Sequence, residues 1–204
     1  KLTRAGFKGP IHATAATVDL LGVMLRDSAH IQESEARRSA KRFRGKRPME
    51  PIYALQDARE CLTQANSVAY DQEFSPHATV RCRFRDAGHI LGSAIIEVWV
   101  TEHGRATKLV FSGDLGQPGR PILRDPTLIE ETDILVVEST YGDRRHLDLA
   151  ATEDEMIAIV EKTLYERGGN VIMPAFAVGR TQQVIYLLHR LACEGRLRPP
   201  KVFV

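Results

Sequence analysis

Apolar residues recur with two different periods along this chain, and the change between them divides it. From 80 to 85 the period is two: Val80, Cys82 and Phe84 alternate with Arg81, Arg83 and Arg85, and apolar-rich stretches follow at 94–101 and 108–112. That pattern predicts three strands, with His103-Gly104 as a hairpin turn between the last two. Upstream, residues 1–6 read as a helix end closed by Gly6, followed by a short strand over 10–13. Thr14 then caps a helix that carries Val18, Leu21, Gly22, Leu25 and Ala29 on one face. A second helix is expected over 55–66, with Ala58, Cys61, Leu62 and Ala65 inward. Ile134-Leu-Val-Val-Glu138 is nearly continuous in apolar character, which predicts a strand buried on both faces. Beyond Tyr141-Gly142 the rhythm becomes α-β-α-β: a helix over 152–167, a strand over 170–173, a helix over 180–193 and a strand start at 201–204. This is the pattern of a parallel, helix-covered sheet, so the fold class is α/β with a domain boundary near residue 142.

Composition narrows the class. With 43% hydrophobic and 26% charged residues over 204 positions, the chain reads as soluble and globular. No apolar run approaches the roughly eighteen residues that span a bilayer, and residues 1–20 carry no signal-peptide pattern. Cys61, Cys82 and Cys193 are odd in number and widely spaced, which argues against a disulfide framework and fits a reducing, cytoplasmic setting. The net charge of +2 is too small to indicate nucleic acid. Its distribution is less even: Arg37, Arg38, Lys41, Arg42, Arg44, Lys46 and Arg47 fall in one run without an acidic residue. Such a run is a solvated helix end or loop, with a phosphate-backbone contact as the sharper alternative.

The chemistry gathers at strand ends. Asp86-Ala-Gly-His89-Ile-Leu-Gly-Ser-Ala94 and Phe111-Ser-Gly-Asp114-Leu-Gly116 each hold one metal-competent side chain in a glycine-flanked turn beside an apolar strand. An imidazole and a carboxylate suit zinc, although a catalytic zinc takes about three protein ligands and an open position. Asp114 could bridge two metals, or be an ordinary turn aspartate. Glu138, at the carboxyl end of an apolar strand, stands where α/β enzymes place functional groups; a capping carboxylate is the plainer reading. Gly179 and Arg180 open a helix whose N-terminal amides and positive charge favour a phosphate, or they form an ordinary helix start. Ser93 is a further phosphate donor or a small residue in a tight turn. His30, on a helix end with Asp27 three residues before it, reads as structural. No nucleophile elbow, Walker loop or Rossmann glycine fingerprint is present.

With these residues assembled, the chain closely resembles the metallo-β-lactamase/β-CASP family of nucleases. The carriers are Gly6-Phe-Lys-Gly-Pro10, Asp27-Ser-Ala-His30, the His89 and Asp114 motifs, Glu138-Ser-Thr-Tyr-Gly142 and Pro174-Ala-Phe-Ala-Val-Gly-Arg180. The match runs through essentially the whole chain in the family's order. The resemblance implies a partial metallo-β-lactamase αββα sandwich over 1–142 and the beginning of a parallel α/β β-CASP domain over 143–204. By the same resemblance His89 is a zinc ligand and Asp114 bridges two zinc ions. Glu138 would orient an active-site histidine, and the substrate would be RNA, cleaved by a two-metal mechanism. The family's HxHxDH motif, which supplies four metal-coordinating side chains, lies upstream of the stretch matching Lys1 to Pro10. This segment by itself is therefore expected to bind zinc weakly or not at all and to be inactive. Two rival readings remain: a thioester or lactam hydrolase of the same fold, and a non-catalytic β-CASP scaffold. Unpaired sheet edges leave a homo-oligomer open.

Overall fold

The computed structural model describes residues 1–42, 50–144 and 149–204. They form two compact units, Lys1–Pro118 with Arg124–Val137, and Gly119–Leu123 with Glu138–Val204. No described helix is long and apolar enough to cross a membrane. The three cysteines are free thiols.

The first unit starts with one helical turn. Amides of Gly6 and Phe7 return to the carbonyls of Thr3 and Leu2, the paired bonds that close a helix end. Strand β1 (Ile11–Ala13) follows, then α1 (Ala15–Arg42). The α1 start is set by Thr14, whose Oγ1 accepts the Thr17 amide at 3.3 Å and whose carbonyl accepts the Val18 amide. His30 lies mid-helix rather than at an end, because α1 runs on through the first basic residues to Arg42. The rest of the basic run, 43–49, and any phosphate contact there lie outside the described residues. Helix α2 (Leu55–Thr63) ends sooner than its apolar periodicity suggested. Ala65 instead enters β2 (Ala65–Ser67), which pairs in parallel with β1, so the backbone of β1 gains its ladder partner.

The main sheet has the order β3-β4-β5-β6-β7, from Glu73–His77, Val80–Asp86, Ala94–Glu102, Arg105–Phe111 and Ile134–Val136. The first four strands are antiparallel, and β7 lies parallel to β6. His103 and Gly104 both adopt positive φ, which matches a two-residue hairpin turn to the right-handed twist of β5 and β6. Strand β3 was not visible in the apolar pattern: Glu73 to His77 contains a proline and one large apolar residue, and β4 recruits it as an edge. The expected doubly buried strand at 134–138 is corrected. Strand β7 is three residues long and exposed, because among the described residues only β6 pairs with it.

The second unit contains α3 (Leu149–Glu161), a π-helical turn (Lys162–Glu166) and α4 (Arg180–Cys193). Val160, Leu188, Leu191 and Leu197 form its core, and Glu153 is buried against Arg190 and Arg196. The strands expected at 170–173 and 201–204 do not form. A strand exists only as part of a ladder, and these two segments have no ladder partner among the described residues.

The main sheet is tied internally by a buried carboxylate. Glu97 on β5 stands opposite Arg83 on β4 and is 2% exposed. Arg83 Nε and Lys108 Nζ each lie 2.7 Å from it, from the strands on either side. Burial alone pushes the Glu97 carboxyl up, but the hydrogen bonds and charges of Arg83 and Lys108 outweigh that and hold it below its ordinary value. A carboxyl lowered on folding stabilises fully above its unfolded pKa and loses that contribution as pH falls through the folded value. Glu97→Gln is expected to lower stability near neutral pH by about 3–5 kcal/mol, since two cations are left without their charge partner. Urea unfolding between about pH 7 and about pH 3 should also show a shallower acid decline than in the wild type.

Candidate metal centre

The sheet topology brings the two glycine turns together. Strands β4 and β6 both run antiparallel to β5, so their carboxyl ends flank its beginning, with Asp86 paired to Ala94 and Ile96 paired to Phe111. The turn after β4 carries His89, and the turn after β6 carries Asp114. His89 Nε2 and Asp114 Oδ2 are 3.9 Å apart, and both side chains face solvent.

Backbone contact sets that spacing. The Gly116 amide donates to the Ala87 carbonyl at 2.8 Å. A Cβ on Gly116 would fall 1.7 Å from the Gly88 carbonyl oxygen, so only a residue without a side chain allows this approach. Gly88 itself sits at φ +63°, and a Cβ there would meet the Arg124 carbonyl at 2.7 Å. Asp86 Oδ1 accepts the Gly88 amide at 2.9 Å, turning the chain out of β4. Ala87, Ile95 and Val110 form the apolar floor beneath, with Leu115 and Ile129 packed against them.

Within the turn, Ser93 Oγ accepts the amides of His89 and Ile90 at 3.1 and 3.3 Å. Its hydroxyl oxygen thus organises the loop from which the imidazole projects. The Ser93 carbonyl accepts the Tyr70 hydroxyl at 2.8 Å. Burial, then the Asp86 charge, push the Tyr70 phenol up from its ordinary value, against opposing effects of Thr14 and Arg124. The phenol therefore stays protonated and able to donate. Tyr70 had no signal in the sequence, because it lies in a loop outside any periodic pattern.

The other candidate residues lie in the second unit. Glu138 begins its longer segment, two residues after β7, and is half-buried. Gly179 caps α4: its amide donates to Gln182 Oε1 at 2.8 Å. Thr181 Oγ1 and Gln182 Nε2 donate to the carbonyls of Phe176 and Ala177, which fastens the loop to the helix and leaves Arg180 exposed at its first turn.

A tetrahedral zinc ion holds nitrogen and oxygen donors at about 2.0–2.2 Å and so about 3.3–3.5 Å from each other, and the His89–Asp114 pair would close by about half an ångström around one cation. In donor type the pair suits zinc, and it would supply two of the about three protein ligands that a catalytic zinc takes. Among the described residues no group of three His, Cys, Asp or Glu side chains gathers.

No family model matches the chain. It is similar over 189 residues, 93% of its length, to ribonuclease TTHA0252 of Thermus thermophilus, with 35% identity and 39% of that protein covered. Similarity to an RNase J-like protein of Methanocaldococcus jannaschii is 28% identity over 95% of this chain and 41% of that protein. For the transcription termination factor FttA of Pyrococcus abyssi the values are 30% identity, 95% and 28%. The chain thus spans well under half the length of these relatives. The shared stretch contains both glycine turns and the strands that carry them, and these likenesses support a relationship to the β-CASP RNA-processing nucleases.

Proposed function

We propose that the protein to which this chain belongs is a zinc-dependent ribonuclease in which His89 and Asp114 are two of the metal-holding side chains. The observation that carries the reading is their convergence: two turns from different strands place an imidazole and a carboxylate 3.9 Å apart on one solvent-facing edge. Zinc bound there would supply Lewis acidity toward a phosphodiester and an activated water. His89 would contribute an imidazole nitrogen from the Ser93-bonded turn, and Asp114 a carboxylate oxygen. Arg180 supplies an exposed positive charge at a helix N-terminus, suited to a backbone phosphate. Glu138 is proposed to orient a histidine of the active site. The names of the relatives, a ribonuclease and an RNase J-like protein, favour RNA over a thioester or lactam.

The full-length protein, assayed on single-stranded RNA and on a thioester with and without zinc, tests this directly. His89→Ala and Asp114→Ala should each lower RNA hydrolysis by more than about a hundredfold, beyond what loss of a supporting residue costs. Hydrolysis of the thioester alone would overturn the assignment. Gly116→Ala should destabilise the protein by about 1–3 kcal/mol or more, because the Gly88 carbonyl must move, and should weaken zinc binding with it. Denaturant melts and equilibrium dialysis measure the two effects.

A further inference from the structure

We infer that Tyr70, Thr14 and Thr17 form a hydroxyl clamp that positions His89. This rests on the reading of His89 as a metal ligand and extends it to residues that hold no metal themselves. The segment between β4 and β5 is seven residues long, with glycine at both 88 and 92. Such a loop carries a large conformational entropy when free, so a defined imidazole position needs fixed points along it.

The fixed points are two successive carbonyls. The Gly92 carbonyl lies 2.8 Å from Thr14 Oγ1 and 2.9 Å from Thr17 Oγ1, so it is held by hydroxyls of the cap and first turn of α1. The Ser93 carbonyl takes the Tyr70 hydroxyl at 2.8 Å and, from within the turn, the Ala87 amide at 3.3 Å. The Ser93 hydroxyl then collects the amides of His89 and Ile90. A continuous chain of bonds therefore runs from α1 and the Tyr70 loop through Gly92 and Ser93 to the backbone of His89. Thr14 Oγ1 and Thr17 Oγ1 also lie 2.9 Å apart, and with one proton each they share the contacts to each other and to Gly92, which makes the helix cap and the clamp one cluster. Gly92 is buried, and Thr14 is 3% exposed, so water competes poorly for these bonds.

Outer partners that orient a ligand are worth about ten- to a hundredfold in metal affinity. The test measures zinc affinity and hydrogen exchange across 86–94 in the full-length protein and its Tyr70→Phe, Thr17→Val and Thr17→Ser variants. Tyr70→Phe and Thr17→Val should each weaken zinc by about tenfold and speed exchange at His89 and Ile90, while exchange in β6 stays unchanged. Thr17→Ser, which keeps the hydroxyl, should restore both. If the wild type binds zinc and the variants bind it equally well, the clamp is overturned and the ribonuclease reading stands. If exchange rises throughout β4, β5 and β6, the hydroxyls serve folding in general and the clamp is again overturned. If the wild type binds no zinc, the ribonuclease reading fails, and exchange alone decides the clamp: faster exchange confined to the His89 turn in the variants upholds it, and unchanged exchange overturns it.

Discussion

The contact between the backbones of Gly88 and Gly116 is the constraint on which the candidate site depends. Two chain reversals approach so closely that a methyl group on one would overlap the carbonyl of the other. The hydrogen bond from Gly116 to Ala87 holds them there, and buried Ala87, Ile95 and Val110 give the pair a floor that does not yield. His89 and Asp114 are adjacent in space because their main chains are locked first. The side chains need only project from turns already in place.

Polar groups are buried in the first unit where they connect elements. Glu97 joins three strands by accepting from Arg83 on one side and Lys108 on the other. Trp99, two residues along the same strand, lies beneath the Arg81 guanidinium at 4.4 Å, so the charged end of this sheet face is itself packed. The same face carries Ile95 and Val110 against the segment around Ile129. Ionic and apolar residues are therefore interleaved on this face, with Val110 opposite Glu97, and Ile95 and Val110 pack with Ala87 in the turn of His89. The hydroxyl cluster of Thr14, Thr17 and Tyr70 reaches that turn from outside the sheet.

Much of this was legible in the amino-acid order. Period-two alternation located β4, and the apolar stretches on either side of the His103-Gly104 turn located β5 and β6. Thr14 announced the start of α1, where its hydroxyl accepts the Thr17 amide. The free cysteines followed from their number and spacing. Where reading failed, the cause was a partner that local pattern does not encode. Ala65 left a helical periodicity for a strand because β1 needed a neighbour. Val171 and Val202 have the composition of strand residues but no ladder, and Ile134 to Val136 form a strand without the cover that their apolar character anticipated.

The sequence by itself determined which residue types stand at the ends of the strands, since His89, Asp114 and their glycines are local facts of composition and spacing. It also carried the resemblance to β-CASP nucleases, which the similarity to known ribonucleases bears out. Only the tertiary structure decided that the two turns meet, at 3.9 Å, and that Tyr70 and Thr17 hold one of them. The reason is physical. Two strand pairings through β5 bring together turns that lie about twenty-five positions apart, and the bond from Thr17 to the Gly92 carbonyl joins residues 75 apart. Neither leaves a periodic trace, because each depends on one donor and one acceptor brought together by the fold.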